Sequence, residues 1–449
     1  WVVPHFEKML YDNALLARAY AHWWRRTASP MAARVARETC AWMIRELRTS
    51  EGGLASALDA DSDGEEGLFY TWTPGELREA LGAEDAGYAA EVFGVTPDGT
   101  FEHGRSVLQR RGDPADEARL RRVSETLLAA RAKRVRPGRD DKVVTAWNGL
   151  AIAALAECGL LLREPGFVTA ALEAADLLTA LHLADGRLRR TSRAGEAGPG
   201  AGVLDDYACL ADGLLTLSGV TGQARWMTLA GDLLETALTH FGDGHGGFYD
   251  TADDGERLLY RPADPADGPS PSGAFAAAGA LLSFAALTGS SRHRDAAVAA
   301  LGVLGPIAAR FPRAGGAGLA VAEAVLAGPA EIAVVGAATD PGTTALHRAA
   351  LLMAPPGAVL ALGDGGPAGD GGPVGDGGPV GDGAAAVPLL EGRRPVGGSP
   401  TVYVCRNFTC RTPLTDPMEL REALGYPAVT WAGGEIGSFG SGSRASAME

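Results

Sequence analysis

Apolar segments of helical length recur along this chain in pairs, and this pattern constrains the fold more than any other feature. In each pair the first segment is apolar almost all round, whereas the second carries charge on one face. That contrast is typical of a buried inner helix followed by a half-solvated outer helix. The predicted pairs are 12–27 with 32–48, 147–162 with 166–183, 206–218 with 224–241, and 272–287 with 292–310.

The later pairs start roughly 60 residues apart, and a fixed period of helix pairs indicates a solenoid or a closed ring. Gly-Asp turns with short β-prone runs follow the outer helices at 52–73, 184–192 and 242–262, which predicts hairpins there. Because such insertions always follow outer helices, a toroid with its loops at one mouth explains them better than an open solenoid. We therefore predict a mainly α fold with an (α/α)6-type toroid over residues 1–328. Fewer than six helix pairs are obvious in the sequence. The alternative is therefore a toroid that is incomplete at its N-terminus.

The pattern changes near Pro329, where strand-like and helical segments alternate and predict a small α/β region over residues 329–449. Glycine occupies every third position within Gly363–Gly383, which formally satisfies the collagen rule. The stretch is too short and too poor in proline for a triple helix, and nothing in it can bury apolar area. We predict a disordered insertion there.

Composition excludes some partners and locations. The net charge of -15 argues against a nucleic-acid partner, which needs a basic footprint. The apolar run 271–289 is dominated by Ala and Gly, so we predict a buried helix and no membrane span. No signal peptide is recognisable, and a cytoplasmic location is expected. The chain starts without methionine, which predicts a fragment or a truncated gene model.

The five cysteines are few and scattered, a usage that fits a reducing cytosol. Cys40, Cys158 and Cys209 lie inside apolar helical patterns and are interpreted as small core residues. Cys405 and Cys410 form C-x4-C, which matches neither a zinc pair nor a C-x-x-C redox motif. We interpret them as part of a structural α/β core and turn; a bridge or a metal site is the less favoured alternative.

The N-terminal stretch "PHFEKMLYDN" mixes acid, base, amide and aromatic groups at the start of an inner helix. In the functional interpretation His5 is a general base that Glu7 or Asp12 orients. In the structural interpretation Asp12 caps the helix and Glu7–Lys8 is a solvated pair. The substrate-binding candidates in this stretch are Glu7, Tyr11 and Asn13.

The stretch "LDADSDGEEG" begins like a calcium loop, since Asp59, Asp61 and Asp63 alternate before a glycine. The twelfth position counted from Asp59 is Tyr70 in place of Glu, so the loop pattern fails and no metal is predicted. A carboxylate rim to a sugar site and a plain polar turn remain as alternatives. Asp59 and Asp61 are the binding candidates.

Two further motifs stand at the starts of inner helices. "RDDKVVTAWNGL" supplies Asp140 and Asp141, then Trp147, whose ring could stack on a pyranose, and Asn148, which could cap a helix or bind a hydroxyl. In the alternative interpretation its acids complement the helix dipole.

"LDDYACLADGL" repeats the acid pair as Asp205 and Asp206, followed by Tyr207, and "HGGFYDT" adds Tyr249 as part of an aromatic wall. Two carboxylates in different environments are what glycoside hydrolysis needs. Core packing is the alternative account of these aromatic residues.

Five stretches together resemble a known family: "VPHFEKMLYDNALL", "SALDADSDGEEGLFYTWT", "DDKVVTAWNGLAIAALA", "PSPSGAFA" and "VYVCRNFTCRTPLTDP". It is the family of thioredoxin-domain-containing proteins that includes the bacterial YyaL-like proteins and the spermatogenesis-associated thioredoxin-like protein. The resemblance implies a partner, an N-terminal thioredoxin-like domain that normally belongs to the same chain and that is expected to be absent here together with the first toroid helices. It also implies a six-hairpin glycosidase toroid similar to that of N-acylglucosamine 2-epimerases, of which this chain resembles the C-terminal part.

The sequence thus predicts a carbohydrate-active toroid, a sugar isomerase or epimerase or a glycoside hydrolase-like enzyme, that works by acid–base catalysis without a cofactor. The alternative is a non-catalytic binding or regulatory module of a thioredoxin-fused protein. Parallel inner helices bring equivalent ends to one rim, so the motifs are expected to line a single pocket. The predicted catalytic residues are His5, Asp12, Asp141 and Asp206.

Overall fold

The computed structural model describes residues 2–365 and 387–425. The predicted disorder of Gly363–Gly383 falls almost entirely outside the described residues and stays a prediction. The described part forms two compact units. One comprises the residues up to Met9 together with Ser56–Asp141, and the other comprises Leu10–Ala55 and the residues from Lys142 onward. The predicted division at residues 328 and 329 is untested by this grouping.

The second unit contains the predicted helix pairs. Its inner helices are α1 (Leu10–Thr27), α5 (Thr145–Leu162), α7 (Leu204–Thr221) and α9 (Gly273–Thr288). Its outer helices are α2 (Pro30–Trp42), α6 (Pro165–Leu177), α8 (Ala224–Phe241) and α10 (Ser291–Ala300). The chain continues through α11 (Leu304–Arg310) and α12 (Gly316–Ala327), which packs on α9. The mainly α fold of the helix-pair toroid class is therefore confirmed.

Each inner helix packs beside the next in the order α1, α5, α7, α9, and each packs on the outer helix that follows it. The inner helix α5 is buried along nearly its whole length, whereas α8 buries one face only. Two outer helices end in a π-helical turn, Met43–Leu47 after α2 and Leu178–His182 after α6. The recurrence of this detail in two pairs supports a true structural repeat.

Two glycines set the close approach of α5 and α7. A Cβ placed on Gly149 would lie 2.5 Å from the backbone of Cys209, and one placed on Gly213 would lie 2.5 Å from the carbonyl oxygen of Gly149. Real Cβ contacts are never this short. The absence of side chains at both positions therefore lets the two helix backbones touch.

Short strands connect the helix pairs of this unit. They are β6 (Val143–Val144), β7 (Leu183–Ala184), β8 (Arg187–Leu188), β9 (Thr191–Arg193) and β10 (Glu196–Ala197). β7 and β8 form the hairpin predicted at 184–192, and β6, β9 and β10 form a small antiparallel sheet. Across 242–262 the structure has turns and an isolated bridge between Gly242 and Phe248 in place of the predicted strands.

The predicted α/β elements are all present. The sheet consists of β11 (Glu331–Val335), β12 (Val359–Gly363), β13 (Thr401–Arg406) and β14 (Thr409–Cys410), in the order β12-β11-β13-β14. β12 is parallel to β11, and the other neighbours are antiparallel. The helices are α13 (Pro341–Met353) and α14 (Pro417–Ala423), each with an Asp cap.

Side chains of α13 and α1 tie the α/β elements to the ends of the inner helices. His347 Nε2 donates to the carbonyl oxygen of Gly219 at 2.8 Å, and Arg348 Nε donates to that of Leu161 at 3.0 Å. Arg25 of α1 donates to the carbonyl oxygen of Leu352. Carbonyl groups in the last turns of α5 and α7 thereby obtain donors that their own helices do not supply.

The first unit contains two helices that the sequence analysis missed, α3 (Pro74–Phe93) and α4 (Glu117–Arg131). They pack on each other around a small core that includes Trp72 and Leu77. The strands are β1 (Lys8–Met9), β2 (Ala57–Leu58), β3 (Asp61–Ser62), β4 (Glu65–Glu66) and β5 (Arg139–Asp140). β1, β2 and β5 form one sheet, and β3 and β4 form a hairpin within the predicted 52–73 insertion.

Within the described ranges, α5 is the one helix long and apolar enough to cross a membrane by length and composition. It is 89% buried inside the unit, which is the environment of a core helix. The helix predicted to be buried at 271–289 is α9, and it is largely buried as expected.

Cys405 and Cys410 lie in the predicted α/β core and turn, but the less favoured alternative of a bridge is the one that the structure has. β13 and β14 place the two cysteines directly opposite each other, and they form a disulfide. Sequence spacing alone did not reveal this pairing, because it depends on the two-residue turn at Asn407 and Phe408. The other three cysteines are buried thiols.

Candidate functional site

Two aromatic residues meet at the N-terminal turns of α1 and α5. The rings of Tyr11 and Trp147 pack edge to face with centroids 4.8 Å apart, and both side chains are half-buried. Asp12 beside them is exposed and Asn13 is half-buried. The contact brings together residues 136 positions apart, as expected for equivalent ends of neighbouring inner helices.

Asp206 is buried at the start of α7, where its carboxylate joins two helix starts. Its Oδ2 accepts the N–H of Val203, and its Oδ1 accepts the N–H of Ala146 in the first turn of α5, both at 2.9 Å. Arg190 also donates to Oδ2 at 3.0 Å. Burial and the neighbouring Asp205 raise the pKa of Asp206 to about 7, against the lowering effect of these donors. The carboxylate caps α7 and positions α5; its predicted catalytic role stays a prediction.

The other candidates near α7 have structural partners. Asp205 is half-buried and pairs with Arg190 at 3.1 Å. The Tyr207 hydroxyl is buried and accepts the N–H of Leu188 at 2.9 Å. Tyr249 is half-buried, and the guanidinium of Arg261 lies 4.1 Å from its ring centroid.

Asn148 is fully buried and pairs with the main chain. Its Oδ1 accepts the N–H of Leu54, and its Nδ2 donates to the carbonyl oxygens of Leu54 and Val144. The amide therefore holds a loop segment against α5. Its predicted contact with a substrate hydroxyl stays a prediction.

The remaining candidates belong to the first unit. His5 is exposed, and its Nδ1 accepts the N–H of Glu7 at 3.2 Å. Asp141 is half-buried and pairs with Arg139 Nε at 2.6 Å. Asp59, Asp61 and Asp140 are exposed on or beside the short strands.

The predicted pocket thus draws residues from both compact units, with His5 and Asp141 in one and Asp12 and Asp206 in the other. A single pocket that contains all of them stays a prediction.

Lys8 is a candidate that the sequence analysis treated only as a solvated residue. Its Nζ lies 4.5 Å from the ring centroid of Tyr70 and donates to the carbonyl oxygen of Phe6. Burial and the nearby Arg131 lower the pKa of Lys8 to about 8. Its position before the first inner helix gave no signal of this environment.

A charged cluster that the sequence analysis missed lies deeper among the inner helices. Glu157 on α5 is buried, and three cationic or protonatable groups of α1 contact its carboxylate. His22 Nε2 lies 2.5 Å from Oε1, Arg25 Nη1 lies 3.1 Å from Oε1, and Arg18 Nε lies 2.9 Å from Oε2. Arg18 also donates from Nη1 to Asp212 Oδ2 on α7 at 2.8 Å.

The charges of this cluster stabilise one another. Burial alone would raise the pKa of Glu157, but His22 and the two arginines outweigh it and hold that pKa well below its usual range. Asp212 and Glu157 likewise raise the pKa of Arg18 despite burial. Glu157 is therefore an ionised carboxylate at neutral pH.

A cavity of about 230 Å³ opens beside this cluster. Arg18, His22, Glu157 and Asp212 line its polar side, and apolar residues that include Leu215, Leu287, Leu360 and Pro355 line the rest. The exposed fraction of the His22 side chain is 48%, so the imidazole is open to the cavity. His22 Nδ1 and Asp212 Oδ1 have no protein partner within the described ranges. A sequence signal existed, since Arg18, His22 and Arg25 are spaced for one face of an otherwise apolar helix.

One group of side chains in the second unit resembles a metal-binding set. A nitrogen of His240 and carboxylate oxygens of Asp253 and Asp254 lie within 4.8 Å of one another. Arg187 pairs with Asp254, and His240 Nδ1 lies 2.9 Å from Asp253. These contacts are those of an exposed ion-pair network, and no metal role is assigned.

Comparison with known proteins gave similarities in sequence and in structure. No protein-family model matches the chain. Spermatogenesis-associated protein 20 of Rattus norvegicus is 31% identical over 479 residues, which cover 94% of this chain and 58% of the relative. The chain thus spans less than two thirds of this curated relative, and the similarity confirms the resemblance drawn from the motifs.

Two solved structures are similar to part of the chain. The crystal structure of D-mannose isomerase has a TM-score of 0.40 at 10% identity and covers 66% of this chain and 59% of that chain. The unsaturated glucuronyl hydrolase of Bacillus sp. GL1 has a TM-score of 0.41 at 14% identity and covers 66% of this chain and 62% of that chain.

Proposed function

We propose that this chain, a homologue of spermatogenesis-associated protein 20, carries out acid–base chemistry on a sugar in the cavity beside Glu157. The observation that carries the proposal is the His22 imidazole, which contacts the buried Glu157 carboxylate through Nε2 and lines the cavity. A base oriented by a third group in this way is the recurring arrangement of catalytic histidines.

The local electrostatics assign a role to each side chain. The buried Glu157 carboxylate accepts the Nε2 proton of His22, so Nδ1 is the ring nitrogen that exchanges a proton with the substrate, and His22 is the general base that we propose. Arg18 contacts both Glu157 and Asp212 and lines the same cavity, so its guanidinium can stabilise an oxyanion that develops on the substrate. Asp212 positions Arg18 and offers Oδ1 to a hydroxyl group.

This arrangement favours proton abstraction from the carbon next to a carbonyl group, which is the chemistry of sugar isomerases and epimerases. Glycoside hydrolysis needs a protonated carboxylic acid beside an ionised carboxylate. Glu157 has both oxygens paired and a lowered pKa, so it is a poor proton donor. The isomerase or epimerase version of the proposal is therefore the better supported one.

The size and walls of the cavity support a small substrate. Its volume of about 230 Å³ is below that of sites for drug-sized ligands, which start at about 300 Å³. Leucine and proline side chains offer apolar surface to the C–H faces of a sugar ring, and the charged side offers partners to its hydroxyls. An aldose or ketose in monosaccharide form is the substrate class that we propose.

Exchange of substrate hydrogen with solvent tests the chemistry directly. The protein is incubated in D₂O with D-mannose, D-glucose, D-fructose and N-acetylglucosamine. Deuterium at the carbon next to the carbonyl, which is C2 of the aldoses and C1 of fructose, is followed by NMR. We expect exchange for at least one sugar and a loss of about 100-fold or more in His22→Gln. Exchange lost in His5→Gln and retained in His22→Gln would move the chemistry to the site predicted from the N-terminal motif.

A non-catalytic sugar-binding module is the second candidate, and the contact of Tyr11 with Trp147 favours it. An aromatic edge beside the exposed Asp12 offers stacking and hydroxyl contacts without a base. Trp23 provides a matched control, since it is an exposed tryptophan of α1 that packs on Tyr20. Sugar binding that disappears in Trp147→Ala, persists in Trp23→Ala and brings no exchange next to the carbonyl would support the binding module. Neither binding nor exchange with any of these sugars would refute both candidates.

A further inference from the structure

The disulfide between Cys405 and Cys410 lies at a two-residue turn, where a bridge adds little to the stability of the fold. Its register joins residues directly opposite each other in β13 and β14, with only four residues between them. A bridge across so short a loop restricts the unfolded chain less than one across a long loop. The turn residues Asn407 and Phe408 already bring the two strands together.

A buried cation contacts both sulfurs. Arg393 Nη2 lies 3.1 Å from Cys410 Sγ and 3.4 Å from Cys405 Sγ. The Arg393 residue is buried, and its Nε has no hydrogen-bond partner within the part of the chain that the structure describes. Burial lowers the pKa of Arg393, and Glu331 and Tyr403 offset only part of this effect.

A neutral disulfide is a weak partner for a buried guanidinium, whereas a thiolate is a strong one. The contact therefore stabilises the reduced, ionised sulfur relative to the bridge. A lower thiol pKa also makes the sulfur a better leaving group in exchange. Both effects shift the pair toward reduction, which is the opposite of what a permanent structural bridge requires.

The two sulfurs differ in access. Cys405 is buried on β13, whereas Cys410 is exposed and lines a cavity of about 800 Å³ together with Arg393, Phe408 and Arg411. An incoming thiolate can therefore reach Cys410 Sγ. The leaving sulfur is then Cys405 Sγ, which stays within reach of Arg393 Nη2.

We propose that Cys405 and Cys410 form a redox-active disulfide that exchanges with dithiol reductants. A thiolate of the reductant attacks Cys410 Sγ, the bond between the two cysteines breaks, and its electron pair remains on Cys405 Sγ. The second thiolate of the reductant then attacks the reductant sulfur of the mixed disulfide and releases Cys410 Sγ. Two electrons pass to the protein, the dithiol ends as a disulfide, and the two protons of the dithiol go to solvent or to the released sulfurs.

Redox titration of the purified full chain tests the role of Arg393. Protein is equilibrated in buffers of reduced and oxidised dithiothreitol, alkylated under denaturing conditions and analysed by peptide mass spectrometry. We expect Arg393→Met to need a ratio of reduced to oxidised reagent about tenfold higher for half reduction, with a similarly slower reduction rate. Arg393→Lys, which keeps a cation, should recover part of the difference.

Arg394→Met is the matched control, because Arg394 is the exposed neighbour in sequence. Equal midpoints and rates in Arg393→Met and Arg394→Met would overturn the proposal. A second measurement uses wild-type protein alone, in case the Arg393 variant fails to fold. Brief exposure to the monothiol glutathione should place the mixed disulfide on Cys410, and an adduct on Cys405 would overturn the proposed order of attack.

Discussion

His347 makes a pH-dependent contribution to stability that a single substitution can isolate. The side chain is buried on α13, and burial lowers its pKa to about 4 although its bond to Gly219 acts in the opposite direction. Between its ordinary pKa of 6.5 and about 4, the unfolded chain binds a proton that the folded chain does not. Stability must therefore fall as the pH falls through this window.

The magnitude follows from the two pKa values. At pH 5 the unfolded imidazole is almost fully protonated and the folded one is mostly neutral, a difference worth about 2 kcal/mol. His347→Gln keeps an N–H donor for the Gly219 carbonyl but has no group to titrate. Between pH 8 and pH 5 the wild type should thus lose about 2 kcal/mol more of its free energy of unfolding than the variant.

Urea denaturation at the two pH values measures this difference directly. Other titrating groups, His182 among them, are present in both proteins and cancel in the comparison. His245→Gln serves as the control, since His245 is exposed. Equal losses of stability in wild type and His347→Gln would refute the assignment of a buried neutral imidazole.

Two further predictions concern the packing of the inner helices. Glu157→Gln removes the carboxylate that Arg18, His22 and Arg25 share and should reduce the free energy of unfolding by about 3–5 kcal/mol at pH 7, whereas Glu38→Gln at an exposed helical pair should change it by less than about 1 kcal/mol. Urea denaturation that gives similar values for both variants would contradict the buried network. Gly149→Ala forces a Cβ against the Cys209 backbone and should cost about 1–3 kcal/mol, whereas Ala at the exposed Gly87 of α3 has open space and should be neutral or stabilising. A Gly149→Ala protein with an unchanged melting temperature would show that the helices do not touch there.

The helix pairs were predictable from the sequence because an inner helix must be apolar on all sides, and α5 and α9 are. The helix α3 was also within reach, since Thr73 and Glu76 form a capping box that the sequence displays. The Gly-Asp turns before it predict hairpins, and the helical pattern of α3 itself is weak because Gly82 interrupts it.

The candidate site was only partly accessible from the sequence. The motifs placed Tyr11 and Trp147 at equivalent helix ends, and the structure brings their rings into contact. The sequence could not show that Asp206 accepts the N–H of Ala146, because that bond joins helices 60 positions apart. Glu157 was hidden for the same reason, since its partners Arg18 and His22 belong to another helix pair.

The hydrogen bonds from α13 to the inner helices couple the local unfolding of these elements. His347 and Arg348 supply donors to carbonyl oxygens in the last turns of α7 and α5, so these turns depend on a segment more than 100 positions later in the chain. Local opening there would have to break the contact with α13 at the same time. Hydrogen exchange should therefore show these turns and α13 as one cooperative unit, although the sequence changes its character between them.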